Sequence, residues 1–180
     1  MTNSRAKGAA FERQIARDLR LWLENTGDLW RVMRAQTDRQ AGQDPNSAGE
    51  FAFIGPPGQR FPWAIECKAS TAWHESQLWP VPVKGPITTT SKRRGYWEQA
   101  VDQASAVGLQ PVLVVRRNNG PVLAIMERKT WTGLHVYQLP QMRFRLDVHG
   151  QWWDLVAVPW VAVMEANPTE VINPRPERLR

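Results

Sequence analysis

The sequence predicts one α/β (α+β) domain built on a mixed central sheet flanked by helices, and three features carry that prediction. Two amphipathic helical stretches are each followed by β-rich apolar runs, so the order is helix, strands, helix, strands. The chain has 180 residues, 42% hydrophobic and 22% charged, enough for one core and too few for two full domains. No segment repeats, and no stretch reaches the ~18 to 20 apolar residues that a membrane helix needs.

The first helix is expected over residues 5–24, where Phe11, Ile15, Leu19, Trp22 and Leu23 recur at three- and four-residue steps, with Gly27 beyond its end. Residues 30–34 suit a short strand and 37–49 a polar, turn-rich loop. Strands at 50–54 and 62–68 are joined by Gly55-Pro56-Pro57-Gly58-Gln59-Arg60, a connection short enough for a hairpin. The proline-rich, basic stretch 70–94 is expected to be a loop, and a second helix to run over 92–107 with Tyr96, Ala100, Ala104 and Val107 on one stripe, until Gly108. Strands at 112–115 and 122–126 flank an Asn119-Gly120 turn. Further strands are expected at 135–139, 143–148 and 152–156, and a short helix at 160–165. The domain is expected to span 1–166, with 167–180 a charged tail that frays.

Lys and Arg number 23 against 17 Asp and Glu, a net charge of +6 that favours an anionic partner, nucleic acid first. Ten tryptophans argue against disorder. The single cysteine, Cys67, excludes an intramolecular disulfide and a cysteine zinc cluster, and suits a reducing, cytoplasmic compartment. Glu12 and Asp18 in the Arg- and Ala-rich N-terminal stretch argue against a targeting peptide. His74, His135 and His149 have no metal-ligand spacing.

Several acidic residues occupy unusual positions. On a wheel of ~100° per residue Glu12 falls inside the apolar sector of the first helix. Burial of a carboxylate there requires a compensating cation, an arginine or a metal, unless the helix frays enough for Glu12 to reach water. In Trp63-Ala64-Ile65-Glu66-Cys67-Lys68, period-two alternation sends Trp63, Ile65 and Cys67 to one face and Ala64, Glu66 and Lys68 to the other. A hairpin symmetric about Gly58 sets Glu50 opposite Glu66, and facing carboxylates repel unless a cation lies between them. Asp44 is the rival acid. A second Glu-x-Lys, Glu127-Arg128-Lys129, also follows an apolar strand but has no acid expected opposite it. Arg13, Arg17 and Arg20 form a basic stripe suited to phosphates or to plain solvation, and Lys92, Arg93 and Arg94 make the loop basic. Gln99 and Gln103 lie beside the apolar stripe of the second helix, within reach of the acids or merely solvated, and Trp73, Trp79 and Trp97 suit base stacking or the core.

Lys7-Gly8-Ala9-Ala10-Phe11-Glu12-Arg13, the acid Glu50 at the start of a strand, and Ile65-Glu66-Cys67-Lys68 ending the next together resemble the PD-(D/E)XK nuclease superfamily. Within it, residues 5–116 look most like archaeal and phage-type Holliday junction resolvases, with Gly49-Glu50 where that family usually has Pro-Asp. The resemblance implies a restriction-endonuclease-like sheet and phosphodiester hydrolysis assisted by Mg²⁺ or Mn²⁺, with no small-molecule cofactor. It implies that Glu50, Glu66 and the main-chain carbonyl of Cys67 hold the metal, that Lys68 serves the attacking water or the phosphate, and that Glu12 completes the acidic cluster. Lys7, Arg13, Arg17, Arg20, Lys92, Arg93, Arg94 and Gln99 are the expected DNA contacts. The implied partners are branched DNA, a four-way junction, and a second copy of the chain, in the cytoplasm of a bacterial or phage-infected cell. A homodimer follows from the two symmetric nicks that resolution requires. Two alternatives stand beside this one: a restriction-like or other DNA-processing nuclease using the same site, and a non-catalytic basic nucleic-acid-binding module whose acids form an ion-pair network.

Overall fold

The computed structural model describes residues 4–34, 47–70, 95–117, 120–136 and 142–173. In chain order the elements are α1 (Ser4–Glu24), β1 (Arg31–Arg34), β2 (Ser47–Ala48), β3 (Phe51–Ile54), β4 (Trp63–Ser70), α2 (Tyr96–Val107) and β5 (Gln110–Arg117). There follow β6 (Val122–Glu127), α3 (Arg128–Thr132), β7 (Met142–Val148), β8 (Gln151–Pro159), α4 (Trp160–Met164) and α5 (Pro168–Ile172). Five strands form the central sheet in the order β4-β5-β6-β8-β7, and β1-β3-β2 form a small antiparallel sheet. Only the β4–β5 pair of the central sheet is parallel, so the sheet is mixed as the sequence predicts.

Both faces of the central sheet are covered. Val112 and Val114 of β5 join the core beneath α1, with Phe11, Ile15 and Leu19, while Leu113 and Val115 meet Trp97, Ala100 and Val101 of α2. A strand buried on both sides needs an unbroken apolar run, and Val112-Leu113-Val114-Val115 is one. Gly108 ends α2 in the left-handed region at φ 67°, its N–H returned to Ala104 and Ser105. No helix among the described residues is long and apolar enough to cross a membrane.

Four expectations are corrected. The hairpin of residues 50–54 and 62–68 does not form, because β3 is the middle strand of the small sheet and both its edges are bonded, to β1 and to β2. Instead the chain turns on aromatic packing, with Phe53 and Phe61 stacked at 3.9 Å between centroids and Phe61 edge-on to Trp63. The strand expected at 135–139 is absent at 135–136, since His135 adopts φ 53°, outside the β region; after β6 the chain enters α3 and buries Trp131 and Leu134. The buried stripe of α2 is Trp97, Ala100, Val101 and Ala104, so Trp97 belongs to the core, against Trp153, and not to a base-stacking surface. The fray expected from residue 167 does not begin there. Asn167 caps α5 by accepting a 3.0 Å bond from the Thr169 N–H, and Val171 and Ile172 enter the core.

Candidate active site

Glu66 and Lys68 share one face of β4, as strand alternation requires, and the Lys68 ammonium donates to Glu66 Oε1. Glu66 is 1% exposed, and its other oxygen, Oε2, is buried with no hydrogen-bond partner among the described residues. A carboxylate oxygen so placed carries a desolvation penalty that a cation would relieve. Lys68 Nζ also lies 5.8 Å from the centroid of the Tyr96 ring at the start of α2, within cation–π range.

Glu50 reaches this pair by a route the sequence did not suggest. Ala48 pairs with Phe51, which makes Gly49-Glu50 the two-residue turn of a β2–β3 hairpin, with Gly49 at φ 73°. That turn abuts β4: Gly49 bridges to Ile65, and the Glu50 N–H donates to the Ile65 carbonyl at 2.8 Å. A Cβ on residue 49 would collide with the Ile65 backbone, so only glycine allows the approach. Burial, then the charges of Glu66 and Glu12, push the Glu50 carboxyl from 4.5 up to about 7, with Lys68 and Arg34 opposing.

Glu12 faces inward from α1, 15% exposed, and accepts an ion pair from Arg34 at the end of β1. Its placement therefore combines two of the explanations open from sequence, an arginine partner and a place where it acts on the other acids. Cys67 is buried on the opposite face of β4 from Glu66; burial foremost, then Glu50, Glu66 and Glu12, pushes its thiol well up, so it stays protonated. Main-chain groups alternate edges along a strand, so the Cys67 carbonyl leaves by the same edge as that of Ile65, the edge where Glu50 sits.

The remaining predicted residues are scattered more widely. Lys7 is half-buried in the first turns of α1, and Arg13, Arg17 and Arg20 are exposed along it. Gln99 is half-buried on α2. Asp44, Lys92, Arg93 and Arg94 lie outside the described residues, as do His74, Trp73 and Trp79. Sequence reasoning missed Arg34, Gly49 and Tyr96 as members of the site. Gly49 before an acid was the one readable hint; Arg34 is 22 residues from Glu12 and carries no local signal.

The family model described as "Phage putative PDDEXK endonuclease" matches residues 3–173. The chain belongs to this family. No curated protein and no solved structure matches it. The fold, a mixed five-stranded sheet with helices, is consistent with a PD-(D/E)XK nuclease. Family membership makes the chain a nuclease, implies DNA as its substrate, and places it among enzymes that generally use divalent metals.

The residues of this nuclease fit such a metal. Among the described residues no group of three or more His, Cys, Asp or Glu side chains is placed to hold a metal ion. A hard cation of the Mg²⁺ type needs none, since it binds through one or two carboxylates and keeps several waters. Glu50 feels two other carboxylates, Glu66 and Glu12, against two cations, Lys68 and Arg34, and one oxygen of Glu66 is buried without a partner among the described residues. That excess of negative charge suits a divalent ion.

Proposed function

We propose that this nuclease is a Mg²⁺- or Mn²⁺-dependent, structure-selective endonuclease that resolves Holliday junctions. The observation that carries the metal site is the buried, unpartnered Oε2 of Glu66 beside Glu50, whose carboxyl is pushed up to about 7. Glu50, Glu66 and the Cys67 carbonyl hold the ion, and Glu50, rather than Asp44, is the second acid. When bound, such an ion acidifies a water and neutralises charge on the scissile phosphate. Lys68, steered by Glu66 and Tyr96, orients the attacking water or stabilises the phosphate oxygens. Glu12, held by Arg34, completes the negative field around the ion.

Lys7, Arg13, Arg17, Arg20, Lys92, Arg93, Arg94 and Gln99 contact DNA, in line with the net charge of +6. The junction preference rests on the resolvase resemblance of residues 5–116. The protein acts as a homodimer in the cytoplasm of a bacterial or phage-infected cell, where Cys67 stays reduced. Trp131, Trp153 and Trp160 are buried within the monomer and are not available for the dimer; Trp152, 70% exposed on β8, is.

Incubation with labelled four-way junction, duplex and single-stranded DNA, with and without Mg²⁺ or Mn²⁺, tests this function. Paired nicks in the junction, only with metal, are expected. Preferential cutting of linear duplex would assign the same site to a restriction-like or other DNA-processing nuclease, and tight binding without cutting under any metal would leave a binding module. Light scattering at micromolar concentration, alone and with junction, tests the dimer, and a strict monomer in both would weigh against resolution.

A further inference from the structure

Arg116 is the penultimate residue of β5, near the carboxyl end of the parallel pair, opposite Ala69 and one step past the Lys68–Val115 pair. Its guanidinium lies 4.6 Å over the ring of Phe11 and donates one hydrogen bond, 2.8 Å, to Gln14 Oε1. The residue is half-buried, yet among the described residues no carboxylate pairs with it and Gln14 is its only hydrogen-bond acceptor. Arginine has five N–H donors in a rigid fork that matches a phosphate, and four of these remain for a ligand. Among the described residues the two cations that act on Glu50 are each paired with a carboxylate, Arg34 with Glu12 and Lys68 with Glu66. Arg116 is thus a cation immobilised by neutral groups, an aromatic face and an amide. Phe11 and Gln14 lie on the same turns of α1 that carry Glu12, so the helix that supplies an acid to the site also aims this arginine.

We propose that Arg116 is a substrate-positioning residue that binds a phosphate of the DNA backbone on the α1 side of the sheet, with Phe11 and Gln14 holding its guanidinium ready. This rests on the nuclease function and adds to it the residue that sets where the backbone lies. The phosphate supplies the counter-charge that the fold withholds, and a two-pronged contact fixes the strand against α1, the helix that carries Glu12.

The test measures binding of fluorescent DNA in EDTA across a potassium chloride series, with thermal unfolding followed for each variant. Arg116→Gln should reduce affinity about tenfold, the loss of one charge-assisted contact, and lower the slope of log affinity against log salt by about one. A merely structural arginine would lower the melting temperature without moving that slope. Arg116→Lys keeps the charge and loses the fork, so it should retain the wild-type slope with several-fold weaker binding and a raised KM at unchanged kcat. A folded Arg116→Gln with wild-type affinity and slope overturns the proposal; if that variant fails to fold, wild-type affinity and KM in Arg116→Lys overturn it instead. Wild-type protein that cuts no DNA while Arg116→Gln still lowers the slope removes the nuclease function and leaves the phosphate contact. Cutting by wild type with an unaltered slope in Arg116→Gln does the reverse.

Discussion

The chain contains two Glu-x-Lys segments, each at the end of an apolar strand and each closed by its own ion pair, yet they are physically different places. In Glu66-Cys67-Lys68 the strand continues through the motif, the glutamate is 1% exposed and the lysine side chain 23%. In Glu127-Arg128-Lys129 the strand ends at the glutamate and α3 begins, with Glu127 18% and Lys129 72% exposed. Charges at the second segment cancel pairwise, Lys129 on Glu127 at 2.9 Å and Arg128 on Asp154 at 2.7 Å, and the residue across from Glu127 is Leu155. At the first, Glu12 and Glu50 arrive from elsewhere in the chain and leave negative charge in excess. The motif alone therefore does not tell the two apart; burial together with an uncancelled charge does.

The largest expected difference between the two is in cleavage. Glu66→Gln or Lys68→Ala should lower the cleavage rate by about 10²- to 10³-fold or more, the scale of removing one preorganised electrostatic group, while DNA binding survives. Glu127→Gln should cleave within about twofold of wild type, because an exposed ion pair contributes little. Equal losses in both segments, with folds intact by circular dichroism, would break the comparison.

Gly49, which has no counterpart at the second segment, sets the next effect. Gly49→Ala combines a left-handed φ with a collision against Ile65, and should cost about 2–5 kcal/mol in a urea titration and displace Glu50. Gly58 also has positive φ, 81°, but open space around it, so Gly58→Ala should cost only about 1–2 kcal/mol. Similar losses at the two glycines would mean that the approach to β4 matters less than the turn conformation.

A pH titration sharpens the contrast in charge. Glu50 rises from 4.5 to about 7 on folding, so between these values the folded chain holds a proton that the unfolded chain has released. The stability conferred by that proton is complete below about 4.5 and is lost as pH rises through about 7. Metal-free protein should lose stability over this interval, and Glu50→Gln should flatten the decline. With Glu50 in its proposed role as a metal-holding carboxylate, cleavage should rise over the same interval. A wild-type stability profile with the same slope as that of Glu50→Gln would remove Glu50 from the charge cluster.

The smallest effect belongs to the exposed segment itself. Arg128→Ala or Lys129→Ala should change stability by at most about 1 kcal/mol, measured by thermal melts, with cleavage unaltered. A larger loss at Arg128 would show that its bond to Asp154 braces β8 against α3.

From the sequence by itself, the local periodicities of this protein were legible. The apolar stripe of α1 predicted the buried Phe11, Ile15, Leu19, Trp22 and Leu23 and the inward Glu12, and alternation along β4 predicted that Glu66 and Lys68 share a face with Cys67 behind it. Asn119-Gly120 marked the β5–β6 hairpin. These follow from backbone geometry that operates over a few residues, 3.6 per helical turn and two per strand repeat. Tertiary structure decided which edges paired and which charges met. Glu50 was expected to face Glu66 across a hairpin; it instead approaches from a turn held on the Ile65 carbonyl, because β1 and β2 had taken both edges of β3. Arg34 reaches Glu12 across 22 residues and Arg116 reaches Gln14 across 102. Contacts of this kind have no period to be read, since each is the outcome of distant segments competing for the same hydrogen-bonding edges and the same buried space.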